Sequence, residues 1–254
     1  MLSCRVSAPV RPLPSRGGDL VPDRPFSPPR EAARSPLRVA ARRTGKALAA
    51  CAIGYLALWL TAVLGTLGMS LWAKQHYPGG ERISGVSNFQ QVDDRLWRGG
   101  APSPDGYREL AERGIRTVVD LRAEDLSERQ LSLPGRAGLD LVRMPVRDGQ
   151  TPTEEQVGAF LTTVDAARGP VYVHCGAGVG RTGSMSSAYL VRTGQADAGQ
   201  AVLRTLAVGP PSVEQIWYVL SADSGHTAQP PPLVRGVSRV LDAPRRINAS
   251  LSLF

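Results

Sequence analysis

Between Lys46 and Lys74 the chain runs through residues 47–73, "ALAACAIGYLALWLTAVLGTLGMSLWA", 27 positions without a charge. A helix of that length, rising 1.5 Å per residue, is roughly 40 Å long and exceeds the ~30 Å hydrocarbon core of a bilayer. A buried core helix rarely stays uncharged for so long, and the apolar part of a cleaved secretory signal is shorter. The pattern therefore predicts one transmembrane helix at 47–73. Of its amphipathic aromatics Tyr55, Trp59 and Trp72, only Trp72 lies at an end, where an interfacial anchor belongs.

Beyond the span the pattern changes. Residues 74–90, "KQHYPGGERISGVSNFQ", read as a linker or lead-in. A domain at 91–224 follows, in which short apolar runs alternate with amphipathic ones. "TVVDL" (117–121), "LVRMPV" (141–146) and "VYVHC" (171–175) suit strands, and 103–113, 153–168, 181–193, 196–206 and 213–222 suit helices. Thr153 followed by Glu154, Glu155 and Gln156 has the form of a capped helix start. Alternation of this kind predicts an α/β fold with a mostly parallel central sheet flanked by helices, on a length sufficient for one core. Residues 225–254, Pro-rich and then mildly amphipathic ("LVRGVSRVL"), read as a C-terminal tail.

Charge alters the picture only at one end. The formal net charge is +8, but residues 1–46 hold nine Arg and one Lys against Asp19, Asp23 and Glu31. The folded part is thus near neutral, which argues against a basic nucleic-acid-binding face. With eight prolines and no apolar period, residues 1–46 read as a disordered basic tail. Six Lys/Arg precede the span within twenty residues and two follow it, so the positive-inside rule puts the N-terminus in the cytoplasm and the domain on the opposite side. Cys4, Cys51 and Cys175, with His76, His174 and His226, write neither a disulfide framework nor metal-ligand spacing, and no cofactor motif appears.

The chemistry concentrates in "VHCGAGVGRTG", residues 173–183. It follows a strand and enters a helix near Arg181, where the first N–H groups lack partners and the helix dipole favours an anion. Gly176, Gly178 and Gly180 let the backbone curl so that successive amides, with those of Ala177 and Val179, face one point. Arg181 can close the resulting oxyanion cradle with a planar fork. Cys175 would sit at its floor; such surroundings lower a thiol from about 8.5 to roughly 3.5–7.5 and make a nucleophile. His174 and the Thr182 hydroxyl are expected to orient the loop and hydrogen-bond the sulfur.

This Cys-x5-Arg-Thr run resembles the cysteine-based phosphatase superfamily of tyrosine and dual-specificity phosphatases. The likeness extends over about 90–222, with Trp97-Arg98, Gly114-Ile115 and Asp120-Leu121-Arg122 as further landmarks of the compact dual-specificity branch. It implies a phosphomonoester hydrolase working through a phosphocysteine without metal or cofactor, on a phosphorylated protein or small phosphomonoester. The family's proton donor is an Asp on a mobile loop; here "MPVRDGQTP" offers Asp148, bracketed by Gly149 and Pro152. Asp120 reads as structural and Asp125 as a helix cap. Large tyrosine phosphatases place water with a Gln-x-x-x-Gln stretch, of which only Gln215 is matched, Pro211 standing at the first position; Gln215 also reads as a surface helix residue. Uncharged Gly176, Ala177 and Val179 favour phosphotyrosine or another single phosphate, while Arg147 and the span keep a phospholipid in play. A phosphate-binding pseudophosphatase and a sulfurtransferase are the competing classes; intact Cys175 and Arg181 disfavour the first, and the Gly-x-Gly-Arg-Thr run with the candidate acid disfavours the second.

Overall fold

The structure, a computed structural model, describes residues 36–243, with side chains from Thr44 onward. Helix α1 (Pro36–His76) contains the apolar run, and Thr44–His76, of mean hydropathy 2.1, is long and apolar enough to cross a membrane. Residues 1–35 of the expected disordered tail lie outside the described residues. Residues 36–46 are helical instead, a continuation of α1 through good helix formers such as Ala and Arg. One stripe of α1 is covered by protein: Tyr55, Trp59, Ala62, Thr66, Ser70 and Ala73, spaced three and four apart. Ser70 Oγ donates to Leu206 O at 2.7 Å. The other faces expose Leu56, Leu60, Leu64, Leu67 and Met69.

The stretch 74–90 is not a plain linker. It carries β1 (Glu81–Ile83) and nearly all of β2 (Val86–Gln91), an antiparallel pair turned at Gly85. Alternation could not show this, because Asn88 has φ 52° and breaks the pleat, leaving Val86 and Phe89 as the buried pair three apart. Strands β3 (Leu96–Gly99), β4 (Thr117–Arg122), β5 (Asp140–Val146) and β6 (Val171–His174) complete a six-stranded sheet of order β1-β2-β3-β6-β4-β5. The β3–β6, β6–β4 and β4–β5 pairs are parallel, and the two at the β1 edge are antiparallel.

Alternate residues of the central strands feed two cores. Val118 and Tyr172 pack with Phe89, Tyr107, Leu110 and Ile115 on the side of α2 (Pro104–Glu112). Val119, Leu121, Val171 and Val173 pack with residues of α4 (Glu154–Ala166), α5 (Gly180–Arg192), α6 (Ala198–Val208) and α7 (Val213–Leu220). These helices coincide with the predicted runs to within two residues. Helix α3 (Glu128–Arg136) was not anticipated, since Pro134 and many polar residues blunt its pattern; α8 (Pro232–Leu241) gives the amphipathic tail a helical form. Ser103, Ser127, Thr153, Asp197 and Ser212 cap α2, α3, α4, α6 and α7 with their side chains. Asp125 therefore caps nothing; it precedes the true cap, Ser127. Helix α5 begins at the glycine loop with no side-chain cap.

Candidate active site

Strand β6 is central, with Gly99 of β3 and Asp120 of β4 both in register with His174. Cys175 thus leaves the sheet at the carboxyl ends of parallel strands, where α/β folds place their ligands. The loop that follows is held from outside through four successive carbonyls. Gly176 O accepts from Ala101 N (2.8 Å), Ala177 O from Asn88 Nδ2 (2.9 Å), and Gly178 O and Val179 O from Arg98 Nη2 (2.9 and 3.4 Å). In a trans peptide the N–H points opposite to the preceding C=O. Tying these carbonyls outward therefore turns the amides of Ala177, Gly178, Val179 and Gly180 inward. Gly178 N–H reaches Cys175 Sγ at 3.3 Å. Gly178 has φ 77°, and a Cβ there would lie 2.3 Å from Gly99 C, so glycine alone fits.

Arg181, in the first turn of α5, is buried. Its Nη1 and Nη2 donate to Glu124 Oε2 (2.8 Å) and Oε1 (2.9 Å), and Nη1 also to Val146 O (3.1 Å). Asp148 Oδ1 stands 3.4 Å from Nη2. Burial draws the guanidinium pKa down, but Glu124, Cys175 and Asp148 outweigh it and raise it overall. Arg181 holds the Glu124 carboxyl below its ordinary value. The Arg181 Nε–H is buried and unpartnered, a donor left over for an anion. Cys175, Asp148, Glu124, Arg181 and Gln215 share the wall of a cavity of about 210 Å³ with the loop residues.

His174 is fully buried, its Nδ1 donating to Cys175 O at 3.1 Å. Burial pulls its pKa down to about 4 despite Asp120 nearby, so it is neutral near pH 7 and orients the loop through the backbone. Thr182 departs from expectation. Its Oγ1 is buried with no hydrogen-bond partner, and it is Gly178 N–H, turned inward as Asn88 holds Ala177 O, that bonds the sulfur. Asp120 is structural, as read, chelating Arg122 through Nε and Nη2.

The segment bearing Asp148 is tethered more than its sequence implied. Ser212 Oγ donates to Gly149 O, Gln215 Nε2 to Gln150 O and Gln229 Nε2 to Pro152 O. Gln215 is buried rather than superficial: its Oε1 accepts from Ser212 N, completing a capping box, and its amide lies against Gly180. Of two further residues that shape the site, Glu124 escaped the sequence reading and Arg98 entered it only as a landmark of the resemblance, with no role given. For Glu124 the available signal was an acid just past the carboxyl end of a parallel strand.

A family model described as "DSP-PTPase phosphatase fused to NAD+ kinase" matches residues 80–218. The chain belongs to this family. It is a member of the cysteine-based, dual-specificity-like phosphatase superfamily. It is 37% identical over 103 residues to probable NAD kinase 2, chloroplastic, of Oryza sativa subsp. japonica, covering 38% of this chain and 10% of that one. Over 159 residues it is 29% identical to the tyrosine-protein phosphatase cdc-14 of Caenorhabditis elegans, covering 58% and 22%. The chain thus spans between a tenth and a quarter of the length of these curated relatives. Among solved structures, the core catalytic domain of the PP-IP phosphatase SIW14 from S. cerevisiae superimposes with a TM-score of 0.48 at 18% identity, covering 59% of this chain and 90% of that one.

Proposed function

We propose that the chain is a phosphomonoester hydrolase of the tyrosine/dual-specificity type with Cys175 as nucleophile, Arg181 and the amides of residues 176–181 as phosphate cradle, and Asp148 as proton donor. The thiolate attacks phosphorus; the S–P bond forms as the P–O bond to the leaving group breaks, and Asp148 gives that oxygen its proton. Water then attacks the phosphocysteine, Asp148 takes a proton back, and inorganic phosphate leaves with the thiolate restored. Inward amides and Arg181 stabilise the equatorial oxygens throughout. The observation that carries this reading is the common cavity of Cys175, Arg181 and Asp148, with loop carbonyls bound away from it.

Arg181 is the one cation on that cavity's wall, and Glu124 and Asp148 oppose it. This charge suits a single phosphate, phosphotyrosine foremost. A phospholipid or other small phosphomonoester is the second reading, favoured by the exposed Arg147 next to Asp148 and by the apolar faces of α1. We place residues 47–73 across a membrane once, the N-terminus cytoplasmic and the domain on the opposite side, and start that domain at β1.

The full-length chain in detergent, assayed on aryl phosphates and a lipid phosphomonoester, tests the reading. Cys175→Ser should abolish turnover, and Asp148→Asn should slow esters of poor leaving groups by about 10²–10⁴ while sparing good ones. An equal loss on both removes Asp148 from its role; an active Cys175→Ser overturns the mechanism.

A further inference from the structure

Behind the catalytic loop lies a second cavity, about 300 Å³, walled by the residues just after α1 and by β2, β3, α5 and α6. Arg98 and Arg204 line it together with Tyr77, Gln91, Ser187 and Thr205, and neither Asp nor Glu contributes to its wall. Arg98 is 2% exposed, yet among the described residues it forms no ion pair. Its hydrogen bonds run only from Nη2 to the loop carbonyls, and its Nε is buried without a partner. The other well-buried arginine of the site, Arg181, has Glu124 beside it, and the half-buried Arg122 has Asp120. A buried cation that lacks a carboxylate is costly to keep ionised, and burial pulls the Arg98 pKa down to about 10.

The hydroxyls along the wall do not offset this charge. Ser187 Oγ and Thr205 Oγ1 bond each other at 2.9 Å, and Ser187 also reaches Ala201 O. The unmet chemistry of the cavity is positive, and an anion of modest size fits it. Tyr77 and Pro78 follow directly on α1, so the cavity opens beside the end of the apolar helix.

We propose that this cavity is a second phosphate site, distinct from the cradle of Cys175, in which Arg98 and Arg204 bind one phosphate group. That group belongs either to a free phosphorylated solute or to the headgroup of an anionic phospholipid. Because Arg98 Nη2 also holds Gly178 O and Val179 O, its occupant touches the outer side of the catalytic loop through one guanidinium.

Binding of inorganic phosphate to the full-length chain in detergent tests the site without turnover, so its failure and that of the assigned chemistry are read apart. Cys175→Ser combined with Arg181→Met disables the front cradle. One phosphate should still bind, and adding the half-exposed Arg204→Glu should weaken it about tenfold or more, the worth of a hydrogen bond to a charged group. Displacement by phosphatidic acid in mixed micelles, but not by phosphatidylcholine, assigns the headgroup as source; phosphate that stays bound assigns the solute. No binding in the double variant, or binding indifferent to Arg204→Glu, overturns the proposal.

Discussion

Two buried arginines approach the loop at 175–180 from opposite sides, and they are treated differently. Arg181, at the front, is gripped by both oxygens of Glu124 and faces Asp148. Among the described residues, Arg98, at the back, hydrogen-bonds through its side chain only to carbonyl oxygens. The front guanidinium is thereby oriented, its charge largely offset, and one N–H is kept for a ligand. Among the described residues the back guanidinium has no carboxylate partner, its charge being favoured by Cys175 across the loop, and it holds two peptide dipoles outward, which aims the inward amides. In the proposed function the first arginine positions the ligand, and the second shapes the loop that receives it.

That contrast can be broken by substitution. Arg181→Met should lower aryl phosphate turnover by about 10²–10³, the scale of losing an oriented donor to developing charge. Arg98→Met should cost less, about tenfold, and its mark should be slower alkylation of Cys175 by iodoacetamide at neutral pH. Equal losses from the two, with alkylation unchanged by Arg98→Met, would erase the distinction.

Finer still is Glu124→Gln, which keeps an acceptor for Arg181 and deletes the opposing charge. Inorganic phosphate should inhibit about threefold more tightly, since a half-exposed carboxylate is worth only ~0.2–1 kcal/mol. Unchanged inhibition would mean that Glu124 does not compete with the ligand for the fork. The smallest effect on turnover belongs to His174, which should act through stability. Its folded pKa of about 4 lies below the ordinary 6.5, so between those values the unfolded chain binds the extra proton. Stability should fall as pH drops from about 6.5 toward 4, by up to roughly 3 kcal/mol, and His174→Asn should flatten that slope in thermal melts. A slope unaltered by the substitution would assign it to other groups.

Much of this site is readable in one segment. Residues 171–192 place strand, loop, Cys175, Arg181 and helix within a continuous stretch, and Asp148 lies in the loop after β5, the strand that precedes β6 in the chain. Glu124 and Asn88 were less visible. Glu124 stands in "RAEDLS", beside Asp125, which local rules read as a cap until Ser127 proved to be the cap. Asn88 lies in a strand whose left-handed residue disrupts the alternation, yet that irregular turn is what brings its amide to Ala177 O. The restraint of the Asp148 segment by Ser212, Gln215 and Gln229 joins residues more than sixty positions apart, beyond the reach of any local pattern.

By itself the amino-acid order determined the apolar helix, the alternation of strands and helices, and the loop that concentrates glycine, cysteine and arginine. Those are consequences of backbone geometry and side-chain period, which act over a few residues. Which acid would meet Arg181, which arginine would remain unmatched behind the loop, and which carbonyls would be tied outward were decided by the tertiary structure. Charge pairing depends on distance in space, and only the packing of β2, β3 and β4 around β6 sets those distances.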